Sequence, residues 1–91
     1  RRSKAKYGSR GAELFCLQDA TIAAAYAQLA ATEANLGSCW VGAFDDNGVS
    51  ESLGAPAHLR PMALMPLGYS AEMPERPPRR ALSQLVQSER F

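Results

Sequence analysis

The residues that could carry chemistry are concentrated in one short stretch, GSCWVGAFDD, Gly37 to Asp46. It places Cys39 beside Trp40 and ends in two aspartates. A reactive thiol needs a neighbouring base or cation that favours the thiolate, and the residues flanking Cys39 supply neither. We therefore interpret Cys39 as a small buried apolar side chain, and Asp45 and Asp46 as turn and helix-cap residues rather than an acid–base pair.

Histidine and cysteine are too sparse to indicate a metal centre. His58 is the only histidine, and it lies in the polar loop APAHLRP without a carboxylate or cysteine neighbour. We assign it a surface or capping role and predict no metal site. Cys16 and Cys39 belong to no CxxC pair, so free, buried thiols in a reducing cytoplasm are expected, and a disulfide between them stays an alternative.

A basic cluster near the end of the chain is the other candidate site. Arg76, Arg79 and Arg80 lie in the proline-rich segment SAEMPERPPRR. A guanidinium group can hold a phosphate with two parallel hydrogen bonds, which makes this cluster a candidate phosphate site. The alternative is a solvated loop stiffened by prolines.

Composition excludes several classes of function. The chain has 91 residues, of which 46% are hydrophobic and 21% charged, and its formal net charge is +1. This charge gives no electrostatic case for binding nucleic acid or a membrane surface. No apolar run approaches the roughly 20 residues that span a bilayer, and no secretory signal follows the basic start. We expect a cytoplasmic protein.

A basic N-terminal segment and a long helix are the first elements predicted to position these residues. Residues 1–12 are basic and contain glycine, which predicts an exposed arm or loop. An alanine-rich helix is predicted over Asp19–Asn35, with Asp19 as its N-cap and Gly37 as the left-handed residue that ends it. Its many small side chains would let another backbone approach closely, so we expect a core or interface helix.

Two short strands and a tail follow the helix. Ser38–Phe44 and Arg60–Tyr69 are predicted strands with a short helical turn at Val49–Leu53 between them, so that residues 38–69 form a strand-helix-strand unit. Residues 70–91 are predicted to be an extended tail. Two helical pieces and two strands cannot close a sheet by themselves, so a partner chain or missing sequence is expected to complete this single partial domain.

The order of these features resembles a known family. YGSRG, LQDATIAAAYAQLAATEANLGSCWVGAFDD, LGAPAHLRPMALMPLGY and RPPRRALSQLV follow one another as in the C-terminal half of the FMN-dependent nitroreductase family. The resemblance implies an α+β flavoprotein fold and a homodimer, here through the Asp19–Asn35 helix, with FMN at the interface. YGSRG is also similar to the branch that oxidises azoline rings in peptide maturation.

The resemblance also assigns binding residues, and no catalytic side chain. The family's strand after the long helix lies against the flavin ring, and it corresponds here to Trp40, Val41, Gly42 and Ala43. Some branches carry a glutamate where this chain has Gly42, so a role of that side chain in orienting nicotinamide is not expected here. Trp40 is interpreted either as a packing residue or as a residue that stacks on the flavin.

Basic residues at both ends are the remaining cofactor candidates. Arg79 matches the family's phosphate-binding position best, with Arg76 or Arg80 as its companion. RRSKAKY at the start is similar to the family's opening Arg-Arg-Ser element, which makes Arg1 and Ser3 weaker candidates; chance similarity is the alternative.

Two functional hypotheses follow. The first is an FMN-dependent oxidoreductase, or the flavin-binding half of one, that passes electrons from NAD(P)H to a nitroaromatic, a quinone or a similar small-molecule acceptor. The family is roughly twice as long as this chain, which suggests the second: a truncated or split, non-catalytic remnant that dimerises without binding flavin.

Overall fold

The first third of the chain is a nearly continuous helical run. The computed structural model describes residues 2–91, except for the side chain of Ser3, and divides this run into α1 (Arg2–Arg10), a π-helix (Gly11–Phe15) and α2 (Cys16–Glu33). Gly8 kinks α1, with φ 65° and ψ −144°. The later elements are β1 (Gly37–Ser38), α3 (Asp46–Leu53), β2 (Leu67–Gly68) and α4 (Leu82–Leu85).

Two expectations for the N-terminal part are wrong. The exposed arm or loop predicted at residues 1–12 is helical from Arg2 onward, although Arg2 and the residues from Lys4 to Arg10 are exposed as expected. Asp19 does not cap a helix, because it lies inside α2 and helical backbone precedes it. The intervening segment AELFCLQ consists mostly of good helix formers, so the helix continues past Asp19 toward the N-terminus.

The left-handed residue that follows α2 and ends it is Asn35, and not Gly37 as predicted. Asn35 has φ 61°, and the amide of Leu36 donates to the carbonyl of Ala31 over 2.9 Å. The amide of Asn35 donates to the carbonyl of Thr32 over 3.0 Å, which completes the hydrogen-bond pair of a Schellman motif. Asparagine tolerates the left-handed region better than most residues, and so Gly37 is free to enter β1.

The sheet is a short antiparallel pair. Gly37 lies opposite Gly68 and Ser38 opposite Leu67, and Val41 forms a further bridge with Leu64 in the same register. That register places Pro66 opposite Cys39. A proline has no amide hydrogen to donate, which explains why the regular strands are much shorter than the predicted 38–44 and 60–69.

Helix α3 has well-formed caps at both ends. The Asp45 carboxylate accepts a hydrogen bond from the Gly48 amide over 3.1 Å, which confirms its predicted capping role. Gly54 ends the helix in the left-handed conformation, with φ 64°. The helix is longer than the predicted turn because the cap allows it to begin at Asp46.

Loss of this cap gives the first testable prediction. Asp45→Ala should lower the free energy of unfolding by about 1 kcal/mol, because the first-turn amides lose their acceptor. Urea unfolding followed by circular dichroism measures the difference. Asp45→Asn keeps an acceptor oxygen and should retain most of the stability, whereas equal midpoints for wild type and Asp45→Ala would contradict the prediction.

The chain leaves an unusual amount of surface uncovered. Its accessible area is 8290 Å², whereas a folded monomer of this length exposes about 5,200 Å². The radius of gyration is 17.2 Å, against about 12 Å for a compact domain of this length. Ala31 is the only buried apolar side chain among the described residues. The expectation that the helix and strands lack sufficient cover within this chain is confirmed.

The tail contributes much of this exposure. Residues 70–91 contain only the single turn α4, and all of them are exposed. Within residues 2–91, no helix is both long enough and apolar enough to cross a membrane.

Candidate functional site

The stretch Trp40–Ala43 lies beside the sheet and is anchored at one position. Val41 and Leu64 exchange two backbone hydrogen bonds of 2.9 Å, one in each direction. Val41 is half-buried, whereas Trp40, Gly42 and Ala43 are exposed. This part of the candidate site is therefore held by backbone pairing and presents its other residues to the outside.

Gly42 leaves an open place next to the Trp40 ring. A Cβ atom added at Gly42 would meet one atom within 4 Å, the indole Nε1 of Trp40 at 3.7 Å. That separation is an ordinary van der Waals contact. The Trp40 side chain is 40% exposed, so its ring forms one wall of this open place. A single atom attached to the backbone at residue 42 would therefore displace no described side chain.

The arginine cluster of the tail, Arg76, Arg79 and Arg80, has no acidic partner among the described residues. The only ion pair in the described part of the chain joins Arg60 Nε to Asp46 Oδ2, over 3.2 Å. Arg79 Nη1 donates to the backbone carbonyl of Pro77 over 3.1 Å, which ties its guanidinium to its own loop. Arg76, Arg79 and Arg80 are thus available to an external anion such as a phosphate.

The two parts of the predicted site are not brought together in one groove. A groove of about 570 Å³ runs between the two strands and the loop that follows β2, where Gly37, Cys39, Tyr69 and Glu72 are among its lining residues. Neither Trp40–Ala43 nor the arginines line it. The groove near His58 is likewise lined by neither the strand nor the basic cluster.

A second groove combines residues that are distant in sequence. It measures about 700 Å³ and lies between the start of α2 and the loop around His58. Lys4, Glu13 and Arg60 supply its charged side chains. Sequence reasoning missed this combination, because no local pattern links positions so far apart.

The remaining candidates are the two cysteines and the N-terminal residues Arg1 and Ser3. Cys16 and Cys39 are both free, so the disulfide alternative is not realised. The expectation that both thiols are buried is wrong, because Cys39 is exposed and Cys16 is only half-buried. The Cys16 thiol donates to the Ala12 carbonyl over 2.7 Å within the helical run. Arg1 and the side chain of Ser3 lie outside the described residues, and their assignment stays a prediction.

The elements that hold these groups suit a bound FMN in two respects. Gly42 leaves open space where another residue would carry a Cβ atom, and the tail provides guanidinium groups that form no ion pair with any described residue. A planar ring with a phosphate chain needs one surface of each kind. The residues present are therefore compatible with the cofactor.

Comparisons with known proteins identify a family for most of the chain. The family model described as "Nitroreductase family" matches residues 1–69. This range contains Trp40–Ala43, and it ends before the three arginines. A protein of Methanothermobacter thermautotrophicus that carries the name of an NADH dehydrogenase/NAD(P)H nitroreductase is 38% identical, and the match covers 66% of this chain and 34% of that protein. The chain thus spans about a third of the length of the curated relative it matches.

Proposed function

The chain belongs to the nitroreductase family, and on that premise we propose that it is an FMN-dependent oxidoreductase or the flavin-binding half of one. In this proposal, electrons pass from NAD(P)H to a small-molecule acceptor such as a nitroaromatic or a quinone. The observation that supports it best is the open place at Gly42 beside Trp40, which lies within the family match.

The protein's own contribution in this function is position and electrostatics. FMN, when bound, supplies the redox chemistry. The backbone from Trp40 to Ala43 would support the ring, and the absence of a side chain at Gly42 would let the ring approach closely. Arg79, with Arg76 or Arg80, would hold the phosphate by charge-assisted hydrogen bonds. No side chain of this chain is assigned a role as acid, base or nucleophile.

A homodimer through the Asp19–Asn35 segment is part of the proposal. Ile22, Tyr26 and Leu29 follow one another at helical spacing on α2, and each is more than half exposed. The chain exposes about 3,000 Å² more than a compact monomer of its length, an area in the range of obligate interfaces. A second copy that packs on this helix would cover part of that excess.

The second candidate function is a non-catalytic dimerising remnant. It is favoured by the lining of the two grooves, since neither groove contains both the strand and the arginines. A remnant would keep the exposed helix as an interface while binding no flavin.

A visible spectrum separates the two candidates. The oxidoreductase predicts a yellow protein with an absorbance maximum at about 450 nm that bleaches when NADH or NADPH is added without oxygen. Light scattering on the same sample should give the mass of two chains. A dimer that stays colourless after incubation with FMN would contradict the oxidoreductase and support the remnant.

A further inference from the structure

The Trp40 side chain has a polar group that the fold does not use. The indole Nε1 makes no hydrogen bond with any described residue. It lies 3.7 Å from the position that a Cβ atom would take at Gly42. The open place at Gly42 is therefore bordered by a hydrogen-bond donor, the indole N–H group of Trp40, that has no partner among the described residues.

The indole N–H group of Trp40 can take part in a hydrogen bond in only one way. An indole nitrogen can donate a hydrogen bond but cannot accept one. While Trp40 is 40% exposed, water can satisfy the N–H group. A flat ligand lying on Gly42 would displace that water, and an N–H group left without a partner would then cost binding free energy. A ligand that fits this place well must carry an acceptor near Nε1.

We propose that the indole N–H of Trp40 is a specificity-determining donor, which hydrogen-bonds a carbonyl or nitro oxygen of a planar ligand at Gly42. The location of the ligand rests on the proposed function, whereas the polarity of the contact follows from Trp40 and Gly42 themselves. A glutamate at residue 42 would offer an acceptor to the ligand. Glycine offers none, so the polar group at this place is a donor.

Two ligands carry the required oxygen, and an experiment can distinguish them. The flavin ring has carbonyl oxygens, and a nitroaromatic or quinone acceptor has nitro or carbonyl oxygens. Trp40 is the only tryptophan, so the protein has one indole N–H signal in a nitrogen–proton correlation spectrum. Titration with FMN alone tests the first source. Addition of nitrobenzene to the FMN-loaded protein tests the second, with toluene as a ligand of similar shape that lacks the acceptor.

The inference predicts a downfield shift of the indole signal and slower exchange of its proton with water. If the partner is FMN, the shift occurs at the first step; if it is the electron acceptor, nitrobenzene causes it and toluene does not. Trp40→Phe removes the donor and keeps an aromatic ring, so it should weaken binding of that ligand about 3- to 10-fold. Tyr69→Phe removes a polar hydrogen from another exposed aromatic side chain and should leave the affinity unchanged.

An indole signal that moves with neither FMN nor nitrobenzene would overturn the inference. This result can be read in the wild-type protein, so it does not depend on the folding of Trp40→Phe. If the absorbance shows bound FMN while the indole signal stays in place in both titrations, the proposed function survives and the role of Trp40 fails. If no FMN binds, the proposed function fails, and the nitrobenzene titration of the apoprotein decides the role of Trp40 by the same criterion.

Discussion

Gly42→Leu should abolish retention of FMN, lowering the affinity by about 100-fold or more, since the new side chain would occupy the space next to the ring. Gly42→Glu should have the same effect. Titration of the apoprotein with FMN, followed by flavin absorbance, measures the change. An affinity equal to that of the wild type would refute the placement of the ring on this strand.

The fold itself should tolerate these substitutions. The nearest atom to a Cβ at Gly42 is Trp40 Nε1 at 3.7 Å, and Gly42 is not among the glycines with positive φ. Any loss of FMN binding should therefore result from a clash between the new side chain and FMN, and not from a lower stability of the protein. Gly68→Leu is the matched control, because Gly68 lies on the paired strand and no described atom lies within 4 Å of a Cβ added there. It should bind FMN as the wild type does and show the same helical circular dichroism spectrum.

Arg79→Ala should weaken FMN binding by about 10- to 150-fold, which corresponds to roughly 1.5–3 kcal/mol for a hydrogen bond to a charged group. Arg79 forms no ion pair among the described residues, so its removal leaves no carboxylate unpaired. The bond to the Pro77 carbonyl lies in an exposed loop, and its loss should change stability little. Isothermal titration with FMN at fixed ionic strength measures the effect.

Two controls separate the phosphate contact from general charge. Arg79→Lys keeps the positive charge but cannot form two parallel hydrogen bonds to the phosphate. Its affinity for FMN should therefore lie between those of Arg79→Ala and the wild type. Arg90→Ala removes an exposed arginine of the same tail outside the cluster and should have no effect. Riboflavin, which lacks the phosphate, should bind equally to wild type and Arg79→Ala; an equal loss of affinity for riboflavin and FMN would show that Arg79 does not contact the phosphate.

The local chemistry of the sequence predicts some element ends correctly and others wrongly. The Asp45 cap is a short-range interaction between a carboxylate and an amide three residues later, and the prediction for it is confirmed. Asp19 has the same side chain but lies within a helical run, where the preceding residues are good helix formers. A cap residue therefore starts a helix only where the residues before it leave the helical conformation.

By itself, the sequence indicated the family and the α+β class through the resemblance of its segments to the nitroreductase family. It also predicted a long alanine-rich helix and insufficient cover within this chain, because these depend on local residue order and total apolar surface. The tertiary structure alone decided the register that pairs Val41 with Leu64 and sets Pro66 opposite Cys39. It also decided that the Trp40 indole nitrogen lies 3.7 Å from the position of an added Cβ at Gly42. Alternation along one strand predicts which residues share a face, but the partner strand and the surrounding free space depend on segments that meet only when the chain folds.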